Sequence, residues 1–302
     1  MSYDLYLYKH KNSGLTEDLF SEYLTKNLKH NISDNPHQWI YENPETGVCF
    51  WFDWNEPNTE EADIQLFDKF DDFINLNFNF GINFFRANFF GMETFPILEK
   101  ILEENNLWVL NPQDDKNTDF PEKFEPNYLK NQWINHNEQV IREHYEEMNF
   151  EYYPLDKSNF IWRYLSNREK LQNNLIEDIF IPSYFMIKGN TDGKLYTGCV
   201  WPEHIPIILP PVDLVIIKKT IKSFFKTKEE SGIILYQAIM NKFEKYFEPF
   251  ENEISNLKVL RPEKAKLISA EFNKLPLIEI KKFGVGVSFD RFVNIPPFDE
   301  IT

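Results

Sequence analysis

Ile74-Asn75-Leu76-Asn77-Phe78-Asn79-Phe80-Gly81-Ile82-Asn83-Phe84 is the stretch on which the reading of the fold turns. Apolar residues hold the even positions, and Asn or Gly holds the odd ones. Successive side chains of a β-strand point to opposite faces, so this period of two predicts one long strand with a single buried face. Upstream, residues 48–54 and 38–42 read as two strands. Asn43-Pro44-Glu45-Thr46-Gly47 between them is turn chemistry, which makes the pair a hairpin. Residues 3–8 alternate as another strand. Thr16 is placed to cap a helix whose first turn carries Glu17 and Asp18, favoured by the positive helix end. Downstream, residues 91–105 read as a helix with Pro96 early in it, where a missing N–H costs least. Residues 107–110 form a short apolar strand ending at Asn111-Pro112. The order strand, helix, three strands, helix, strand predicts an α+β fold over residues 1–112. It is a ferredoxin-like sandwich with one extra strand, both helices covering one face of a mostly antiparallel sheet.

Residues 113–126 are polar, carry Pro121 and Pro126, and read as a linker. Helices are expected at 127–149 and 157–177, strands at 179–188, 194–201 and 212–218, helices at 231–247 and 262–274, and a last strand at 284–292. This stretch, 127–302, reads as a helical region followed by a second α+β unit, with no repeat of the first. A length of 302 residues, with 17% aromatics and 29 Phe, supplies two cores.

The net charge of −16 is unevenly spread. Residues 1–126 hold 24 acids and nine bases, whereas 127–302 hold 24 acids and 23 bases. So acidic a region repels phosphate backbones and anionic lipid head groups, and it attracts a basic partner. Neither a nucleic acid nor a membrane is therefore expected as partner. The plainer effect of the same acids is to keep the chain in solution. Two cysteines, Cys49 and Cys199, make no disulfide framework, and a reducing cytoplasm is the natural setting. The N-terminus lacks the basic and apolar regions of a signal peptide. The longest apolar run, 205–217, is interrupted by Pro206, Pro210, Pro211 and Asp213 and is unsuited to spanning a membrane.

Alternation also assigns faces. Leu5, Leu7, Val48, Phe50, Phe52 and the even residues of 74–84 should point at the helices. Asp4, Tyr6, Tyr8, Cys49, Trp51, Asp53, Asn75, Asn77, Asn79 and Asn83 should point away. Aromatics to anchor and polar groups to orient suit a protein interface, so Tyr6, Tyr8, Trp51, Asp53, Asn75, Asn77 and Asn79 are candidate partner-binding residues. Beside them runs an acidic series of further candidates, Glu56, Glu60, Glu61, Asp63, Asp68, Asp71 and Asp72, with Lys69 as its one base. Two plainer readings stand next to these. The second half of the chain could cover the face, and a run of like charge is commonly a solvated helix face. Stacking of single-stranded RNA on the aromatics is opposed by the charge.

Chemical motifs are sparse. Gly189-Asn190-Thr191-Asp192-Gly193-Lys194-Leu195 is one residue short of a phosphate loop, ends in Leu where Ser or Thr would hold magnesium, and joins two strands, so it reads as a hairpin turn. Gly284-Val285-Gly286-Val287-Ser288-Phe289 lacks the third glycine of a dinucleotide fingerprint and the second of a nucleophile elbow. His136, Glu143, His144 and Glu147 share one face of a helix but not in a metal-ligating order; an exposed polar face explains them, and no metal or cofactor is expected. Cys49, on a strand among aromatics, holds a packing position. Catalytic groups can converge from distant positions, so an enzyme with an unrecognised site, or a housekeeping scaffold, stays as the alternative.

Met1-Ser2-Tyr3-Asp4-Leu5-Tyr6-Leu7-Tyr8-Lys9, Phe85-Arg86-Ala87-Asn88-Phe89-Phe90-Gly91-Met92 and Leu107-Trp108-Val109-Leu110-Asn111-Pro112-Gln113 resemble a group of poorly characterised bacterial proteins. Some of these look like immunity proteins encoded beside secreted antibacterial toxins of the type VI and Rhs kind. The resemblance covers the first third of the chain. It implies a non-catalytic cytoplasmic protein that neutralises a cognate toxin by binding it directly. The toxin's surface would be basic, as toxins acting on nucleic acids or nucleotides tend to be.

Overall fold

The computed structural model describes residues 1–28, 34–114, 120–222 and 227–297. The chain is a mixed α+β protein of two compact units, Met1–Leu155 with Phe292–Thr302, and Asp156–Arg291.

The first unit runs β1 (Ser2–His10), α1 (Glu17–Asn27), β2 (Gln38–Glu42), β3 (Cys49–Trp54), α2 (Glu61–Phe67), β4 (Phe73–Asn83), α3 (Phe89–Glu104) and β5 (Leu107–Leu110). The strands form one sheet in the order β2-β3-β4-β1-β5, and every neighbouring pair is antiparallel. Thr16 caps α1 by accepting the Leu19 N–H at its hydroxyl. Phe20 of α1 meets Phe52 and Phe78 edge-on, and Phe95 of α3 packs on Tyr3 and Phe80. The two helices therefore cover the same sheet face. Phe50, Phe52, Phe78 and Phe80 beneath them are fully buried, each contributing roughly 1.5–3 kcal/mol.

The alternation of 74–84 is interrupted at Asn77. Tyr6 lies opposite Asn79, but Tyr8 lies opposite Asn75, so β4 bulges between them. Asn77 takes a φ of +57°, a left-handed conformation that Asn tolerates because its own kind of side chain bonds locally. Here the Asn75 side-chain oxygen accepts the Asn77 N–H at 2.9 Å. Ile74, expected among the inward residues, lies beyond the bulge opposite Lys9 at the start of the strand and is 44% exposed.

A helix expected to open the second unit, α4 (Tyr128–Met148), belongs to the first. Its Trp133 is wholly buried and lies against Gly91 of α3, where a Cβ would come within 2.6 Å of the indole. Asn137 of α4 accepts the Phe85 N–H at 2.8 Å and donates to the Arg86 carbonyl at 2.8 Å, holding Phe85 at a positive φ. The chain end returns as well. Phe292–Val293 pairs in parallel with β6 (Glu151–Tyr152), and Asn294 accepts from the Asn88 N–H at 2.7 Å while donating to the Tyr153 carbonyl at 2.8 Å. The units thus divide at 155 and 291 rather than across the expected linker 113–126. Of that linker, residues 115–119 lie outside the described residues, and Glu122 is paired with Val109 through both backbone bonds.

The second unit runs α5 (Leu155–Asn174), β7 (Tyr184–Gly189), β8 (Leu195–Pro202), β9 (Ile207–Leu209), β10 (Leu214–Lys222), β11 (Thr227–Leu235), α6 (Tyr236–Phe243), β12 (Glu248–Pro249), β13 (Lys258–Leu260), α7 (Pro262–Phe272), α8 (Ile280–Phe283) and β14 (Gly284–Val287). One sheet is ordered β11-β10-β8-β7-β14, with β8 and β10 parallel, and a smaller one β12-β13-β9. Residues 189–194 join β7 and β8 as a hairpin turn. The helix expected at 231–247 begins only at Tyr236. Before it, β-branched Ile233 and Ile234 are buried in β11, and Ile233 pairs with Ile216 on one side and Ile278 on the other.

Lys219 of β10 is buried, whereas its neighbour Lys218 is exposed. Its ammonium donates to the carbonyls of Asn273 (3.0 Å) and Leu275 (2.8 Å), just past the end of α7, and faces Glu230 at 3.6 Å. A cation there answers the negative helix end and supplies donors to carbonyls that have left the helix.

Candidate functional site

The sheet face of the first unit that points away from α1 and α3 carries the aromatic and amide candidates for partner binding. It is partly covered by the unit's own segment 61–73. Phe67, at the end of α2, packs tilted on Tyr6 with ring centroids 4.6 Å apart, and Phe70 meets Tyr8 edge-on at 5.5 Å. Trp108 and Phe73 complete the cluster around Tyr8, Phe70 and Leu110. Tyr8, expected as an exposed anchor, is fully buried and donates its hydroxyl to the Phe67 carbonyl at 2.8 Å. Burial, together with the Asp68 carboxylate and Tyr6, pushes the Tyr8 phenol well above its ordinary value, so the hydroxyl remains a donor. Tyr8→Phe leaves the Phe67 carbonyl without that donor. It should lower the stability of the first unit by about 1–2 kcal/mol, read from urea unfolding; an unchanged midpoint would contradict the placement.

The polar residues of this face are half-buried and largely engaged within the unit. Asp53 accepts from Gln38 at 2.8 Å, and Asn79 accepts from Asn55 at 2.6 Å. Asn75 donates to Asp68 at 3.1 Å. The Asn77 amide donates at 2.7 Å to Glu17, which also accepts the Trp54 indole N–H at 2.7 Å. Trp51 lies over Gly81, its cross-strand partner, where a Cβ would come within 2.4 Å of the indole ring. Asn77 and Trp51 therefore help to build the sheet. Tyr6 is half-buried under Phe67, its phenol pushed up by burial and by Asp4 and Asp63.

The acids lie differently. Glu56, Glu60, Glu61, Asp63, Asp68, Asp71 and Asp72 are all exposed. Asp68 accepts from Asn58 and Asn75, and Asp72 pairs with Lys11 at 2.7 Å, which holds its carboxyl below the usual range. Among the described residues the other five acids meet no cation within ion-pair distance. Ile64 and Leu66 of α2 stand 42% and 49% exposed among them. The segment is amphipathic across its length, with Phe67 and Phe70 turned onto the sheet and carboxylates and two aliphatic side chains turned out.

No protein-family model, curated protein or solved structure matches the chain.

Other sequence candidates stay apart from that surface. Cys49 is half-buried, and burial and Glu42 push its thiol up, which disfavours the reactive thiolate. Cys199 is buried in the second unit and is pushed up by burial alone. His144 meets Glu147 of its own helix at 3.2 Å. Among the described residues no three His, Cys, Asp or Glu side chains are grouped to hold a metal ion. No helix among them is long and apolar enough to cross a membrane. The signal for the covered face was present in the sequence, as Phe67 and Phe70 within the acidic run and Phe73 just after it recur every third residue.

Proposed function

We propose that this chain is a non-catalytic binding protein of the immunity type, acting in the cytoplasm to neutralise a cognate antibacterial toxin by direct contact with its basic surface. The observation that carries this reading is the outward display of α2 and its flanks: five carboxylates that form no ion pair among the described residues, together with exposed Ile64 and Leu66. Carboxylates steer a basic partner into encounter, and aliphatic side chains among them give the encounter something to desolvate. The first unit is read as a ferredoxin-like sandwich with an added edge strand. Removing β2 leaves four antiparallel strands in the order β3-β4-β1-β5, with both large helices on one face, which supports that reading.

Co-purification with the product of the neighbouring gene tests the function, beside protection of cells that express that product. Failure to form a complex, with no protection, sinks it. The triple charge reversal E60K/E61K/D63K should slow association roughly 10–100-fold at low ionic strength, and the difference should shrink as salt is raised. Stopped-flow rates across a salt series check it; equal rates at low salt would remove α2 from the interface.

A further inference from the structure

A second surface of the first unit lies away from α2. A groove of about 440 Å³ runs between α3, β5 and residues 122–129. That volume is within the range of ligand pockets and holds a few side chains rather than a whole secondary-structure element. Its floor is apolar: Leu107, Val109 and Leu129 are buried, and Leu102 is half-buried beside them. Its outer wall is held in place. Glu122 exchanges two backbone bonds with Val109, at 2.9 and 3.0 Å, and the Tyr128 hydroxyl donates to the buried Asp114 carboxylate at 2.9 Å. Phe124 stacks parallel on Tyr128, with centroids 5.0 Å apart.

The rim has a definite sign. Glu99, Glu103, Glu122 and Glu125 stand against two lysines. Lys123 is drawn onto the Trp108 ring at 4.3 Å, and Lys100 faces Glu104 at 3.7 Å. Glu99 is occupied by the Asn127 N–H at 2.7 Å. Among the described residues, Glu103, Glu122 and Glu125 meet no cation. An apolar floor within an acidic rim is complementary to an aliphatic or aromatic side chain flanked by cations. Strand addition is disfavoured, because the outward backbone groups of Val109 on edge strand β5 are already taken by Glu122.

We infer that this groove docks a short basic and apolar segment of a protein partner, with Lys or Arg flanking Leu, Ile or Phe. In its identification of the partner as a protein bound for neutralisation, the inference rests on the function proposed above; in its chemistry it stands on the groove alone. It adds a second contact on a different face of the unit, and two linked contacts on one partner strengthen each other through effective concentration.

The test uses the full chain and two synthetic peptides, acetyl-Lys-Leu-Arg-Phe-Lys-amide and acetyl-Glu-Leu-Glu-Phe-Glu-amide, followed by NMR shifts of the backbone amides. The basic peptide should shift amides of residues 99–109 and 122–129 and bind at least 10-fold more tightly than the acidic one. E103K/E125K, on exposed rim positions, should remove that preference while leaving the unfolding midpoint unchanged. Leu102→Trp, which fills the groove at its half-buried floor, should weaken the basic peptide about 10-fold. Absence of shifts at millimolar basic peptide, or equal binding of both peptides, overturns the inference. So does a dimer that E103K/E125K dissociates in sedimentation, which would assign the groove to a second copy. The same variants are then assayed with the neighbouring gene product. Peptide binding without any such complex leaves the groove standing and removes the proposed function; a complex indifferent to both variants, with no peptide shifts, removes the groove alone.

Discussion

Trp133→Ala should lower the stability of the first unit by about 3–5 kcal/mol. The indole is fully buried between α4 and α3, against Gly91 and with Phe95 alongside at 6.3 Å. Its removal forfeits the transfer free energy of a large aromatic and leaves a cavity that two packed helices close only in part. A double-mutant cycle sharpens the claim. Gly91→Ala on its own places a methyl 2.6 Å from a ring that has nowhere to move, so it should destabilise by about 1–3 kcal/mol, although Ala is the better helix former. In the Trp133→Ala background the clash is gone, and the same Gly91→Ala change should stabilise by a few tenths to about 1 kcal/mol. Urea unfolding followed by circular dichroism reads all four corners. Additive effects would show that α4 does not pack on α3 through this pair.

In the second unit a large effect is expected at the buried Lys219. Lys219→Met keeps most of the stem volume and removes the ammonium. The carbonyls of Asn273 and Leu275 lose their donor, and Glu230 loses the cation 3.6 Å away. Hydrogen bonds from a charged donor contribute about 1.5–3 kcal/mol each, and Glu230 is partly solvated, so the net loss should be about 2–4 kcal/mol. Lys219→Arg should not rescue it, since a planar guanidinium does not reproduce a compact donor within a closed site. A midpoint unchanged in Lys219→Met would mean that solvent or a neighbour supplies both carbonyls.

The two cases mark where the sequence is legible. The strands of the first unit lie within a few residues of their expected positions, because a period of two is a backbone property carried by adjacent residues. The Thr16 cap is equally local. Tyr8 defeats the same logic. Parity puts it on the face away from α1 and α3, and it does lie there, but Phe67 and Phe70 arrive from 59 and 62 positions along and bury it. Asn77 shows a different failure. It occupies an odd position in a regular pattern, yet the bulge turns its amide to Glu17 on α1. Of the candidate surface, the acids remained outside as charge predicts, whereas the aromatic and amide residues were largely absorbed into the unit's own packing.

Charge distribution, strand periodicity and helix capping were determined by the sequence alone. Each depends on residue type and on neighbours a few positions away, and the surface preference of carboxylates needs no knowledge of the fold. Tertiary structure decided which unit α4 joins, that the chain end returns to Asn88 across 206 positions, that Lys219 is buried, and that one sheet face is roofed by the acidic segment's own phenylalanines. An amphipathic helix or strand specifies that it must bury a face but carries no record of which surface will cover it. That choice is made by shape and by hydrogen-bond partners brought together from distant parts of the chain, as Trp133 meets the one helical position without a Cβ to exclude it.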